Sequence, residues 1–256
     1  MKKIVFFDID GTLLDHEKQL PASTKKAIRI LKENGVFVAI ATGRAPFMFL
    51  NLKKELDVDS FVSFNGQYVV FENEAIYRNP LNQSELNKFL HVTNANDHPL
   101  IFMNESTMKA TTEYHSYIET SLGSLLFPHP EEDASFYIDK EIYQSLLFCS
   151  QDEEKQYFEK FPEFDFIRWH PYSVDVLPKG GSKAEGIKQM IDRLGFDLKD
   201  VYAFGDGMND LEMLKAVGTG VAMGNAVSEA KALADLVTSD VSQNGIWNGL
   251  KELQLI

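Results

Sequence analysis

A single cysteine, Cys149, in 256 residues excludes an internal disulfide and any zinc site built from several thiolates. Such sparing use of thiols fits a reducing compartment, and a cytoplasmic location is expected. Long apolar runs are missing as well, since no stretch approaches the roughly 20 residues that a membrane-spanning helix requires, so a soluble chain is expected. The opening segment MKKIVFFDIDGTLL has a basic start and a short apolar run, but Asp8 and Asp10 interrupt it and no small-residue cleavage site follows. It reads as a buried strand. Positive charge is scarce: 25 Lys and Arg face 38 Asp and Glu, a formal net charge of −13. Neither nucleic acid nor an anionic membrane finds an electrostatic footprint on such a surface, and an anionic ligand must be attracted locally. The six histidines show no H-E-x-x-H spacing and are read as structural or surface residues.

What is present is an alternation of strand and helix patterns. The first stretch predicts a strand from Lys3 to Phe7, a helix from about Ser23 to Asn34 stopped by Gly35, and a strand from Val36 to Ala41. Both strands are nearly continuous apolar runs, as parallel strands covered on both faces are. A helix after Pro46 and a strand from Phe61 to Phe64 follow. The pattern returns near the C-terminus with a helix from Lys183 to Leu194, a strand from Val201 to Phe204, a helix from Asp210 to Ala216 and a strand from Gly220 to Met223. The fold class expected is α/β, a doubly wound and mainly parallel sheet. The middle differs: PLIFMNE, STMKATT, EIYQSLLFCS and FDFIRWH read as strands between the helical SELNKFLHVTNAN and EEKQYFEKF. Residues 81–176 are therefore expected to form an inserted α+β domain, with 1–80 and 177–256 as the core. Turn-forming residues near Asn79-Pro80 and Pro178-Lys179-Gly180-Gly181 suit its hinges.

The chemistry concentrates where apolar strands end. Asp8-Ile9-Asp10-Gly11-Thr12 follows the first strand, at the edge where ligands gather in open α/β sheets. Residues two apart in extended chain point the same way, so Asp8 and Asp10 start on one face before Gly11 lets the chain turn. Adjacent carboxylates repel unless one is protonated or a cation lies between them. A strand-ending Asp-Gly-Thr turn is the plainer reading, but it leaves Gly205-Asp206-Gly207-Met208-Asn209-Asp210, at a second strand end, unexplained. That segment alone reads equally as an acidic helix start. Beside Asp8 and Asp10 it completes an all-oxygen cluster suited to Mg²⁺ rather than zinc. Thr42-Gly43-Arg44 ends a third strand, where a hydroxyl and backbone N–H groups could hold phosphate oxygens, or simply cap the next helix. Ser182 and Glu185 have capping-box spacing and put Lys183 in a helix's first turn, where a cation opposes the helix dipole. An anion in front of it would explain that placement; a solvent-facing lysine is the alternative, and Lys179 is the nearby competitor.

Taken together, DIDGT at Asp8, Thr42 after a strand, Lys183 at a helix start and GDGMND at Asp206 resemble the four motifs of the haloacid dehalogenase-like hydrolases. The insert between the threonine and lysine motifs looks like the C2-type cap of the Cof-type (IIB) subfamily, and Met223-Gly224-Asn225-Ala226 with Val237-Thr238-Ser239 looks like that subfamily's C-terminal segment. The resemblance covers essentially the whole chain, within the insert as layout rather than motif. It implies a phosphatase in which Asp8 attacks phosphorus and Asp10 serves as acid, then base. It implies Mg²⁺ held by Asp8, the Asp10 backbone carbonyl and Asp206, with Asp210 binding directly or through water. Ile9, Thr42, Gly43, Lys183 and Asn209 would surround the phosphate. The expected ligand is a small phosphorylated metabolite, a sugar phosphate or a phosphorylated cofactor, and no obligate protein partner is evident. Candidate specificity residues are Arg44, Asn65, Gly66, Glu105, Arg168, Trp169 and His170; on a strand such side chains equally serve packing. A phosphotransferase or phosphomutase would share the aspartyl-phosphate, and a catalytically silent sensor of a phosphorylated metabolite is the reading from another class.

Overall fold

The computed structural model describes residues 2–256, which form two compact units. One comprises the chain through Arg44, Met48–Arg78 and Ser182–Ile256; the other comprises Ala45–Phe47 and Asn79–Gly181.

The first unit begins with β1 (Ile4–Phe7), wholly buried, followed by α1 (Ala22–Glu33), β2 (Phe37–Ala41), α2 (Leu50–Leu56) and β3 (Phe61–Ser63). Helix α1 turns Ala27, Ile28 and Leu31 inward, spaced so that they fall on one stripe. Next come β4 (Tyr68–Phe71) and β5 (Glu74–Arg78), an antiparallel hairpin that the strand–helix alternation does not anticipate. Glu72 and Asn73 at its tip both take positive φ, the backbone that a tight hairpin turn needs and that asparagine tolerates.

The second unit holds α3 (Gln83–Ala95), β6 (Leu100–Met103), β7 (Met108–Ala110), α4 (Ser116–Gly123), β8 (Gln144–Phe148), α5 (Gln151–Phe158), β9 (Phe164–His170) and β10 (Ser173–Pro178). Its strands form an antiparallel sheet in the order β7-β6-β8-β10-β9. One face of that sheet supplies Leu100, Phe102, Leu147, Val174 and Val176 to a core closed by Leu86, Phe89 and Leu90 of α3 and by Tyr157 and Phe161. Phe89 sits at its centre, with ring centroids 5.6 Å from Tyr157, 5.0 Å from Phe161 and 5.7 Å from Phe164. The unit reaches Gly181 because β10 stays paired with β9 through Pro178, and Lys179 N–H then donates to Glu163 O at 3.0 Å.

The chain returns to the first unit with α6 (Lys183–Leu194), β11 (Val201–Gly205), α7 (Leu211–Ala216), β12 (Thr219–Ala222), α8 (Ser228–Leu233), β13 (Leu236–Val237) and α9 (Gly245–Glu252). The sheet order is β13-β12-β11-β1-β2-β3-β4-β5, parallel from β13 to β3. From β1 the early chain winds one way and the late chain the other, so the direction switches between β1 and β11, the place where such sheets bind ligands. Among the described residues no helix is long and apolar enough to cross a membrane.

Phe89→Ala removes the centre of the second unit's core. A loss of about 3–5 kcal/mol is expected in denaturant unfolding followed by far-UV circular dichroism; a loss below about 1 kcal/mol would show that the core closes without it.

Candidate active site

Parallel pairing aligns Phe7 with Phe204 and with Ile40, so the residues after β1, β2 and β11 emerge side by side. Asp8 N–H donates to Phe204 O at 3.0 Å, and Thr42 N–H to Val62 O at 2.8 Å, which carries the ladder one step beyond the strands. Asp8, Asp206 and Asp210 each offer a carboxylate oxygen within 4.8 Å of the others. Into this group projects Lys183, completely buried, donating to Asp8 Oδ1 at 2.5 Å and Asp210 Oδ1 at 2.7 Å. Lys179 pairs elsewhere, with Asp165 at 2.5 Å.

The start of α6 is seated by the turn after β3. Ser182 Oγ accepts Glu185 N–H at 3.3 Å, one half of the capping box read from the sequence. Gly66, at φ +99°, lies so close that a β-carbon there would sit 2.0 Å from Ser182 O. Asn65, buried and also at positive φ, packs its amide beside Gly43 and receives a long 3.5 Å contact from Asn209 Nδ2. These two residues shape the backbone around Lys183 and Thr42. Ile9 is buried, and its carbonyl accepts Leu14 N–H at 2.8 Å in the turn after β1.

The three aspartates differ in what already holds them. Asp210 Oδ2 accepts the N–H groups of Asp206 and Gly207, each at 2.9 Å, while Oδ1 takes Lys183, so both its oxygens serve the protein. Asp206 accepts Thr12 Oγ1–H at 2.9 Å, and Asn225 Nδ2 bridges Gly11 O at 2.8 Å to Asp206 Oδ2 at 3.4 Å. Asp8 receives Lys183 on one oxygen only. Burial raises the pKa of Asp8, Lys183 opposes the rise, and Asp210 and Asp206 add to it. Burial likewise pushes Asp206 up to about 6, against the Thr12 hydrogen bond. Burial works to lower the pKa of Lys183, but Asp210 and Asp8 more than reverse that and hold it charged. One ammonium among three carboxylates leaves negative charge uncompensated in a buried place. An all-oxygen donor set of this kind fits a hard divalent cation, and Asp8 accepts one of these hydrogen bonds, Asp206 two and Asp210 three.

Asp10 faces a different partner set. Arg44 forks onto it, Nε to Oδ2 at 2.8 Å and Nη2 to Oδ1 at 2.6 Å, and Lys18 Nζ donates to Oδ1 at 2.6 Å. Burial alone would raise its pKa, but the Arg44 fork and Lys18 together bring it below the ordinary aspartate value. Arg44 N–H in turn donates to Thr42 Oγ1 at 3.1 Å.

Sequence similarity decides the family to which this arrangement belongs. The profile of the haloacid dehalogenase-like hydrolases matches residues 5–250. The chain belongs to this family. As a haloacid dehalogenase-like hydrolase it is 54% identical over 254 residues to "Putative phosphatase YkrA" of Bacillus subtilis (strain 168), covering 99% of this chain and 98% of that protein. It superposes on the crystal structure of a hypothetical protein from Geobacillus kaustophilus HTA426 with a TM-score of 0.97 at 59% identity, over the whole of both chains. The HAD subclass IIB sugar phosphatase BT4131 is 32% identical, with a TM-score of 0.87 over the whole of both chains.

In this hydrolase the remaining sequence-derived candidates lie in the second unit. Arg168 is consumed internally, by Glu154 Oε2 at 2.6 Å and the carbonyls of His170 and Pro171 at 3.0 and 2.8 Å. His170 Nδ1 meets Ser121 Oγ at 2.9 Å. Glu105 is half-buried in the segment between β6 and β7. Trp169 Nε1 is buried without a hydrogen bond, as are Gln144 Oε1 and Ser173 Oγ. Asp175 lies among them: burial pushes it up to about 8, and Gln144 and Trp169 are the neighbours that pull it back. The contact from Trp169 falls short of good hydrogen-bond geometry. Gln144, Ser173 and Asp175 escape the sequence reading, although the polar residues at alternate positions in S-V-D-V-L are the mark of a strand with a polar face. Lys18 escapes it for a plainer reason, as one lysine in the polar loop DHEKQ.

The raised pKa of Asp206 has a measurable consequence. Between about 4 and 6 the folded state keeps a proton that the unfolded state has lost, so raising pH through that window lowers stability, and none of this contribution survives above it. In chelator, Asp206→Asn is expected to gain stability relative to the unaltered protein by about 1–2 kcal/mol as pH rises from 4 to 6, allowing for partial solvent screening. Urea unfolding at the two pH values measures it; a difference independent of pH would remove Asp206 as the titrating group.

Proposed function

We propose that this hydrolase is a Mg²⁺-dependent phosphatase that releases phosphate from a small hydroxylated metabolite through an aspartyl-phosphate on Asp8. The observation that carries the proposal is the buried Lys183 bridging Asp8 and Asp210, with Asp206 beside them and Asp10 held apart by its own cations. Mg²⁺ would be held by Asp8, Asp206 and the Asp10 backbone carbonyl, and when bound it offsets repulsion between a carboxylate nucleophile and an anionic phosphate. Lys183, Thr42 Oγ1 and the backbone N–H groups of Ile9 and Gly43 hold the non-bridging oxygens, with Asn209 close by. An Asp8 oxygen bonds to phosphorus as the bond to the leaving oxygen breaks, and Asp10, which must first leave the Arg44 and Lys18 donors to carry a proton, gives it to that oxygen. Asp10 then takes a proton from water as the water attacks phosphorus and frees Asp8. Asp210 acts through hydrogen bonds, orienting Lys183 and the loop that carries Asp206.

The second unit serves as the C2-type cap that selects the leaving group, the role expected from the sequence for residues 81–176. Its buried and partly unpaired set, Gln144, Trp169, Ser173 and Asp175, supplies neutral donors and acceptors together with a carboxyl group of raised pKa. That chemistry suits hydroxyl groups and disfavours a second anion. The subclass IIB sugar phosphatase at 32% identity supports the same substrate class. Arg168 has no donor left over for a substrate phosphate and braces the strand from within.

Phosphate release from a panel of sugar and polyol phosphates tests the proposal. Release is expected with Mg²⁺ and not with chelator, and Asp8→Asn is expected to lower kcat at least about 10³-fold while the protein stays folded. Metal-independent turnover, or turnover surviving in the variant, would contradict it.

A further inference from the structure

The turn after β3 holds the longest run of left-handed backbone in the structure. Phe64, Asn65 and Gly66 take φ of 51°, 50° and 99° in succession, and no other three neighbours do so among the described residues. Glycine adopts this region freely and asparagine tolerates it, but a phenylalanine is held there only by its surroundings. The hairpin alone does not require it. Ser63 pairs with Tyr68, which leaves a four-residue loop, and such loops are ordinarily built around a type I turn whose central residues have negative φ.

What the unusual backbone secures lies on the neighbouring strand end. It brings Phe64 N–H to Arg44 O at 3.3 Å and Asn65 N–H to Thr42 O at 3.1 Å, so the turn is tied to the Thr42-Gly43-Arg44 segment. It also lays the Asn65 side chain against Gly43, where a β-carbon would meet both Nδ2 and Oδ1 at 3.1 Å. Asn65 is 4% exposed. Its Oδ1 accepts Asn209 Nδ2 in the 3.5 Å contact, whereas its Nδ2 donates to no acceptor among the described residues. A donor left unpaired in a side chain this buried is costly unless a ligand supplies the acceptor. Because Nδ2 is not sealed in the interior as the unpaired atoms near Asp175 are, a ligand can reach it.

Tolerance of left-handed backbone would account for asparagine at this position, and glycine would then serve as well. That explanation covers neither Phe64 nor the unpaired Nδ2. We propose that Asn65 is a phosphate-contacting residue, whose Nδ2 donates to a non-bridging oxygen beside the Gly43 N–H while Oδ1 steadies Asn209. This rests on the phosphatase reading given above and adds a donor to its phosphate site. A neutral amide suits the place, since it takes an anionic oxygen without competing for the carboxylates that hold Lys183. An aspartate of the same shape would present only acceptors and repel that oxygen.

Two replacements separate the amide from the backbone that carries it. Asn65→Gly removes the amide and keeps the left-handed turn, and Asn65→Asp keeps the shape while exchanging donor for acceptor. Inorganic phosphate is titrated into each whole protein with Mg²⁺ in a calorimeter, which needs no turnover, and Mg²⁺ is titrated alone as a second readout. Asn65→Gly is expected to weaken phosphate binding about tenfold, and Asn65→Asp more than that. In the glycine variant Mg²⁺ affinity should stay within about threefold and the thermal midpoint within about 3 °C. Phosphate bound by the aspartate variant as tightly as by the unaltered protein overturns the assignment. So does a parallel loss of phosphate affinity, Mg²⁺ affinity and thermal midpoint in the glycine variant, which would make the role structural. If the unaltered protein binds no phosphate, the phosphatase reading fails and Asn65 with it; if it binds and Asn65→Gly binds equally, only the role of Asn65 fails.

Discussion

The ammonium of Lys183, buried between Asp8 and Asp210, is the interaction on which the site depends. A lysine is removed from water only when carboxylates meet it at close range, and these carboxylates in turn are tolerable at such density only with a cation among them. The first turn of α6 must therefore lie against the ends of β1 and β11, and Gly66 permits that approach because no side chain separates the turn after β3 from Ser182. Asp210 shares its other oxygen between two backbone N–H groups of the loop bearing Asp206. A single buried charge thus ties together three strand ends and two helix starts. The balance is left short of two positive charges, and that deficit is the physical reason for expecting a divalent metal.

The two aspartates two residues apart are sorted into different environments by the same chain turn. Asp8 stays in the buried group and its pKa rises, while Asp10 swings to Arg44 and Lys18 and its pKa falls. Gly11 makes this possible at φ +81°, where a β-carbon would meet the Asp206 carboxylate at 2.2 Å. Separate partner sets give the two carboxylates opposite tendencies: the buried, acidic surroundings favour the protonated form of Asp8, and the cations favour the ionised form of Asp10.

Much of this was legible before any coordinates, because it is written in strand ends. Apolar runs followed by DIDGT, TGR and GDGMND fix where the sheet terminates, and parallel pairing then brings those ends together. Lys183 could be separated from Lys179 by the S-x-x-E spacing alone, and Lys179 indeed pairs with Asp165. What was not legible depends on contacts distant in sequence or on irregular backbone. The β4–β5 hairpin lies in a segment where strand–helix alternation gives no warning of antiparallel pairing. Arg168 in FDFIRWH could be read either as a specificity residue or as packing, and its partners, Glu154 and two carbonyls, are set by chain distant from that strand or by its irregular end. The polar set around Asp175 forms only when β8, β9 and β10 pair, and Lys18 reaches Asp10 through a left-handed turn that no periodicity encodes.

The central claim is that Asp8 becomes covalently phosphorylated, and the most direct measurement is acid quenching during turnover of a sugar phosphate with Mg²⁺, followed by mass spectrometry of the Asp8 peptide. The account predicts a phosphoryl adduct on Asp8 that forms within the first turnover and is absent in Asp8→Asn. Phosphate release with no adduct, under conditions where release of phosphate from the enzyme is slower than its transfer, would mean that water attacks the substrate directly and that Asp8 has another role.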